Sequence, residues 1–253
     1  MDLAERISTL RRMSGLSARQ LARLVDVAPT TVTRIEAGRV SPSFDLAQEI
    51  MTVLGEPIGF TGVADMSAIA AARLALDPTL DIARSPDLWR WWSRWERLGL
   101  VDDSGRVFPG GEQDLLRVAG RAARLTRRPG SVDFMSGPTA LEIAEALRKA
   151  SIEYAVTGDA GANLYYYSAD EAWPVVYVEN IPRAAAVAGL TRKDSDAFGM
   201  RVTLMPFDGV VELSRTTIGG VTVAARDQVI LDAYGGIDRM PEQADILLGG
   251  RVA

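Results

Sequence analysis

The segment from Leu16 to Pro42, LSARQLARLVDVAPTTVTRIEAGRVSP, constrains the fold more tightly than any other part of the chain. It reads as two short helices joined by a tight turn. Ser17 is placed to cap the first, and Gln20, three residues on, completes a capping box in which side chains and backbone satisfy each other. Leu21, Leu24 and Val25 fall on the inner face, and Asp26-Val27 makes the turn. Pro29 is tolerated in the first turn of the second helix, where an N–H would have no intrahelical partner. Val32 and Ile35 point inward; Thr30, Thr31, Thr33 and Arg34 point outward. Gly38 ends that helix as a residue free to take positive φ. An earlier helix is expected over Leu3–Met13, with Leu3, Ile7 and Leu10 on one face and Ser14-Gly15 as its stop. Ser41-Pro42 leads into a fourth helix, expected to turn Phe44, Leu46, Ile50, Val53 and Leu54 inward.

Over roughly residues 3–55 this pattern resembles the phage-repressor/Cro/XRE family of helix-turn-helix domains, carried by LSARQLA at 16–22, TTVTRIEAG at 30–38 and SPS at 41–43. The resemblance implies double-stranded operator DNA as ligand, with the second helix of the motif in the major groove. It places contacts on Arg19 and Gln20, beside Ala18, and on Thr30, Thr31, Thr33 and Arg34, with Arg39 reaching a phosphate. Ala18 lacks the polar side chain common at its position, and Pro29 cannot hydrogen-bond a base edge. Base reading is therefore expected of Thr30, Thr33 and Arg34, with Arg34 taking a guanine bidentately. The alternative for Arg34 is an ion pair with an acid of its own domain. Residues 1–56 carry seven Lys/Arg and seven Asp/Glu. A neutral module gains little nonspecific affinity from phosphates, so a homodimer reading two half-sites is expected.

The 253 residues include neither His nor Cys. That excludes Cys/His zinc sites, disulfides, thiol nucleophiles and any mechanism with a histidine base. No metal site and no cofactor are expected. No apolar stretch is long enough to span a membrane, and the Met-Asp start lacks a signal-peptide pattern, so a cytoplasmic protein is expected. Residues 57–135 carry eleven basic and ten acidic groups, whereas residues 136–253 carry ten basic and sixteen acidic. The C-terminal part is thus a poor DNA surface and a better protein-binding one.

The middle of the chain reads as helical. Residues 57–85 are a linker with one alanine-rich helix, Met66–Leu76; residues 86–135 form a second region. Pro86 starts a helix in which Leu88, Trp91, Trp92, Trp95 and Leu98 share a face. Indoles at helical spacing bury large areas, so they are read as core rather than a ligand cage. GLVDDSGRVF then reads as a hairpin, and helix plus hairpin resembles a winged-helix edge. In residues 114–128, Arg117, Arg121, Arg124 and Arg128 recur at helical spacing. They are expected to form either a solvated face or a surface for nucleic acid or an acidic partner.

From residue 136 onward helix and strand patterns alternate, giving a mixed α/β domain over 136–253. Helices are expected at 138–150, from Asp159, at 181–190, 226–234 and 240–248, and strands at 152–158, 174–178, 200–206, 210–214 and 221–224. The order strand, Thr-Gly, helix, strand resembles nucleotidyltransferase folds. Active members need an Asp-x-Asp pair to hold two metal ions for phosphoryl transfer. Here Val175-Val176-Tyr177-Val178 offers no carboxylate before Glu179, so the fold is read as a degenerate transferase and not an enzyme. Over about residues 152–248 the segments AVTGDAGANLYY, PVVYVEN and GVTVAARDQVILDAYGGIDRMPEQADILL resemble AbiEi-family antitoxins of type IV toxin–antitoxin systems. The matching positions are Thr157, Gly158, Ala162, Gln228, Leu231, Asp232, Gly235, Gly236 and Glu242.

The whole is expected to be an all-α helix-turn-helix bundle, a helical and winged-helix-like middle, and an α/β domain. The implied role is an operon-repressing antitoxin whose partner is a cognate nucleotidyltransferase toxin. Two alternatives stand beside it. One is a ligand-responsive transcription factor with a pocket at Tyr165, Tyr166 or Tyr167. The other is a divergent Mg²⁺-dependent nucleotidyltransferase using Asp159, Glu179 or Glu212.

Overall fold

The computed structural model describes residues 2–56, 64–135, 137–167, 171–192 and 201–249. Residues 57–63 of the expected linker and the expected domain start at Ser136 lie outside the described residues. The chain divides into two compact units, Met1–Arg127 and Arg128–Ala253.

The first unit is helical: α1 (Leu3–Met13), α2 (Ala18–Leu24), α3 (Pro29–Glu36), α4 (Phe44–Val53), α5 (Met66–Leu76), α6 (Pro86–Leu98) and α7 (Glu112–Ala122), then a 3-10 turn at Leu125–Arg127. Residues expected as three separate regions therefore make a single body. Side chains on α6 show why. Its buried face carries Leu88, Trp91, Trp92 and Trp95. The Trp91 indole donates to Asp65 Oδ2 at 3.0 Å and that of Trp92 to the Ala71 carbonyl at 3.0 Å. Arg94, stacked on Trp91, reaches Glu49 of α4 at 3.0 Å. Arg97 donates to the Arg23 carbonyl at the end of α2 at 3.1 Å. Trp91, Trp92 and Trp95 are thus core, as the spacing implied, while Trp89 is exposed.

Two expectations in this unit need correction. Phe44, placed inward by periodicity, is 66% exposed, because it is the first residue of α4 and the inward row begins at Ala47. The winged edge shrinks to one bridge between Val101 and Val107. Asp102 folds it tightly by accepting from the Ser104 and Arg106 N–H groups. It lies against α6: a Cβ on Gly105 would sit 2.6 Å from the Trp92 ring. Gly55 is equally constrained, at φ +81 with its Cα facing the Arg121 carbonyl at the end of α7.

The second unit holds a six-stranded mixed sheet in the order β1-β4-β3-β2-β6-β5. The strands are β1 (Val132–Met135), β2 (Tyr154–Thr157), β3 (Pro174–Val178), β4 (Arg201–Pro206), β5 (Thr216–Ile218) and β6 (Val221–Val223). The helices are α8 (Ala140–Lys149), α9 (Gly158–Tyr165), α10 (Ile181–Val187), α11 (Arg226–Gly235) and α12 (Met240–Gly249). Alternation on β3 sorts the two faces. Val176 and Val178 join a core with Ile143, Leu147 and Ala184 of α8 and α10. Tyr177 points the other way, toward Asp232 of α11. The strand β1 carried no readable alternation. It pairs with β4 and is held by Thr203, whose hydroxyl donates to Asp133 at 2.6 Å. The strand expected at 210–214 is a turn instead: Asp208 accepts from Val210 and Val211, and Glu212 from Gly209. Such side-chain acceptors compete with a sheet ladder for backbone donors. The actual strand, β5, follows it and is linked to β6 by Gly219-Gly220, both at positive φ, the chemistry of a two-residue hairpin.

Two polar groups of this unit, Asp232 of α11 and the half-buried Glu171 before β3, give measurable expectations. Asp232, wholly buried, accepts from Arg128 at 2.6 Å, Thr157 at 2.6 Å and Gln228 at 2.8 Å, and Tyr177 lies 3.1 Å away. Removing one partner of a buried pair strands the other charge, so Asp232→Ala should cost about 3–5 kcal/mol in urea unfolding. Glu171 accepts from Ala140 N at 3.1 Å, and burial, helped by the nearby Asp159 charge, pushes its carboxyl up to about 7. The unfolded chain releases this proton near 4.5 and the folded chain only near 7. Stability should therefore fall as pH rises through that window. Glu171→Gln should flatten this fall in thermal melts across the same pH range.

Candidate nucleic-acid interface

The candidate interface is the α2–α3 pair. Ser17 caps α2, its side chain accepting from Gln20 N at 3.2 Å while Gln20 Oε1 accepts from Ser17 N at 2.8 Å. The turn places Asp26 at φ 53, and Val27 N reaches back to the Ala22 carbonyl. Pro29 is the first residue of α3. Val32 and Ile35 are buried beneath it.

The outer surface is as the periodicity implied. Arg19, Pro29, Thr30, Thr33, Arg34 and Arg39 are exposed, and Gln20 and Thr31 are half-buried. The Thr33 hydroxyl donates to the Thr30 carbonyl at 3.0 Å, which leaves its oxygen facing outward as an acceptor. Among the described residues Arg19, Arg34 and Arg39 form no ion pair. Glu36, two residues on in the same helix, points away from Arg34 and is occupied by Arg11. Arg11 Nε lies 2.5 Å from Glu36 Oε1 and Nη2 lies 2.9 Å from Oε2, a fork-to-fork geometry. Its third nitrogen donates to the Leu16 carbonyl at 2.7 Å. The Glu36 hydrogen bond raises the Arg11 pKa further above its ordinary range. One side chain thus ties α1, the loop before α2, and α3. Helical spacing gave no sign of this clamp, because it joins residues 25 positions apart.

Charge is therefore segregated within a module of zero net charge. Glu36 is bound to Arg11, Glu56 to both Arg6 and Arg124, and Glu49 to Arg94. Arg19, Arg34 and Arg39 remain exposed toward the side that carries the α3 threonines.

The arginine stripe expected at 117–128 does not form, because α7 ends at Ala122. Arg117 approaches Asp114 at 3.9 Å and stays partly exposed. Arg121 is largely buried, which lowers its pKa. Arg124 is paired with Glu56. Arg128 belongs to the second unit, buried against Asp232 and Tyr177. Pro129 follows directly and disfavours helix at Arg128. These four side chains serve four different environments.

In the α/β unit, Thr157, Gln228 and Asp232 meet in one buried cluster, joined by Tyr177 and Arg128. Burial drives the Tyr177 phenol well above its ordinary pKa. Asp159 accepts from Ala172 N and Trp173 N, Glu179 lies 3.9 Å from Arg183, and Glu212 caps Gly209. No group of three or more acidic side chains among the described residues is placed to hold a metal ion. Tyr165 donates to the Ala224 carbonyl at 2.8 Å, while Tyr166 and Tyr167 are exposed. Among the described residues no helix is long and apolar enough to cross a membrane.

The Arg11–Glu36 clamp is testable apart from any DNA contact. Glu36→Gln keeps the shape but weakens two charge-assisted bonds, each worth about 1.5–3 kcal/mol. Lowered unfolding stability is expected, with faster amide exchange in α3, while the exposed Arg39→Gln should change neither.

A family model described as a helix-turn-helix domain matches residues 2–58. No curated protein and no solved structure matches the chain. The N-terminal module is a helix-turn-helix of the XRE-like type, and at that level the chain is a DNA-binding regulator.

Proposed function

We propose that this chain is the antitoxin of a toxin–antitoxin pair. As a homodimer it binds double-stranded operator DNA through α2 and α3 and represses its own operon. Its acidic α/β domain counters a cognate nucleotidyltransferase toxin and performs no catalysis of its own. The observation that carries the DNA half is the exposed outer face of α3, where Thr30, Thr33 and Arg34 stand clear while Glu36, Glu49 and Glu56 are bound to other arginines. In this reading Arg34 takes a base edge, Arg19 and Arg39 take phosphates, and Gln20 and Thr31 line the approach. The antitoxin half is supported by the resemblance over 152–248, whose Thr157, Gln228 and Asp232 come together in one buried network. A net charge of −6 over residues 136–253, from ten basic and sixteen acidic groups, suits a protein partner better than a nucleic acid.

Two measurements check the halves separately. In a binding titration on DNA upstream of its own gene, Arg34→Ala should lose about 1–3 kcal/mol and relax preference at one base pair. Arg39→Ala should instead weaken all sequences alike and reduce the salt slope by about one. For the antitoxin half, co-expression with an adjacent nucleotidyltransferase gene should restore growth, and residues 136–253 should be required for the rescue. Growth arrest that persists with soluble full-length chain present would overturn it.

A further inference from the structure

Helix α6 buries three tryptophans and leaves a fourth outside: Trp89 is 46% exposed. Its ring stands edge-to-face on Trp92, with centroids 5.0 Å apart at 89°. The indole is thus fixed from beneath while its outer surface meets water. A rigid, exposed tryptophan is the type of side chain that anchors protein interfaces. Successive turns bring Pro86, Trp89, Ser93 and Glu96 onto one stripe, with Arg90 and Arg97 beside it, and all six are exposed. At the middle of the stripe stands the small Ser93, over which a second helix can approach to about 8–10 Å.

The order of charges makes this stripe complementary to itself. Arg90 and Glu96 stand three residues either side of Ser93. When two copies of α6 cross antiparallel about a twofold axis at Ser93, Arg90 of each copy faces Glu96 of the other, so the pair forms twice. Trp89 and Arg97, four residues either side, meet in the same way, indole on guanidinium. A parallel crossing would oppose like with like. Glu96 forms no ion pair among the described residues. Arg90 holds Asp87 at 2.9 Å, with side chains 60% and 56% exposed, and a guanidinium keeps donors for a second carboxylate. Arg97 spends its Nε on the Arg23 carbonyl at 3.1 Å, and stacking needs only the face of its guanidinium.

We propose that the outer face of α6 is the homodimer interface, with two copies of this chain crossing antiparallel at Ser93. The spacing suits a paired reader of DNA. Arg97 lies about 6 Å along α6 from Ser93 and touches the end of α2. Helix α3 packs beside α2, about 8–10 Å further on. Each α3 therefore falls within roughly 20 Å of the axis, against about 17 Å for half of one DNA turn. The use of this dimer on DNA rests on the reading above; the contact itself does not.

Sedimentation velocity of the full chain at micromolar concentration tests the interface. The wild type should be a dimer, and Trp89→Ala should weaken it about tenfold or more. Arg90→Glu and Glu96→Arg should each weaken it as well, because each opposes like charges at both ends of the crossing. Mixing these two single variants should recover a dimer, and the double variant Arg90→Glu/Glu96→Arg should recover it alone. All three side chains are exposed, so circular dichroism should not change. A monomeric wild type, a dimer that survives all three single substitutions, or no recovery in either the mixture or the double variant overturns the α6 interface. A dimer that follows the charge pattern, in a chain that ignores DNA from upstream of its gene, upholds the interface and overturns the DNA reading instead.

Discussion

Guanidinium groups buried against carboxylates organise this protein. The chain has no histidine and only two lysines, Lys149 and Lys193, so nearly every positive charge is an arginine. A planar guanidinium can enter an interior only if its fork is met by acceptors, since an unpaired buried charge costs several kcal/mol. Arg11 with Glu36, Arg94 with Glu49, Arg124 with Glu56 and Arg128 with Asp232 are four such solutions. Two of them fix helices of the first unit to one another, the third joins the chain just after α4 to that just after α7, and the fourth fixes the start of the second unit to α11. A carboxylate held by one or two such arginines has little capacity left for another.

That exclusivity explains how a module with balanced charge can still present a cationic surface. Net charge sums over all faces, but a phosphate senses only groups within about a Debye length. Glu36 and Glu56 are turned into the unit, where they hold structure, and the more exposed Glu49 is paired with buried Arg94. Arg19, Arg34 and Arg39 keep their charge at the surface. Asp2 and Asp45, which cap or open α1 and α4, lie at helix starts where the dipole stabilises them.

Local signals made the first unit largely legible. The capping box at Ser17, the first-turn Pro29 and the Gly38 stop are chemical rules about a few adjacent residues, and each appears where the sequence placed it. The α6 tryptophans were equally plain. What could not be read were pairings between distant residues. Arg128 looked like the last member of a helical stripe because spacing is blind to an aspartate 104 positions away. Strand β1 has four residues with no alternation to betray it, and its place depends on β4. The segment 210–214 misled for the opposite reason: its apolar residues suggested a strand, but Asp208 and Glu212 claim the backbone donors. By contrast, Gly219-Gly220 was a hairpin signal present in the sequence and passed over. In the candidate interface, the outward residues were readable from one helix, whereas the clamp that steadies that helix was not.

The contact of Gly55 with the Arg121 carbonyl bears on how such a chain can evolve. The matched helix-turn-helix ends at residue 58, yet the packed body continues to Arg127. A recombination joint placed at the family boundary would sever Glu56 from Arg124, Glu49 from Arg94 and the α2 carbonyls from Arg97. The recognisable motif is therefore not the transferable cassette. Exchange of DNA-sequence specificity in such proteins should proceed by substitution along α3, or by transplanting the whole helical body, with the natural seam between Arg127 and Arg128.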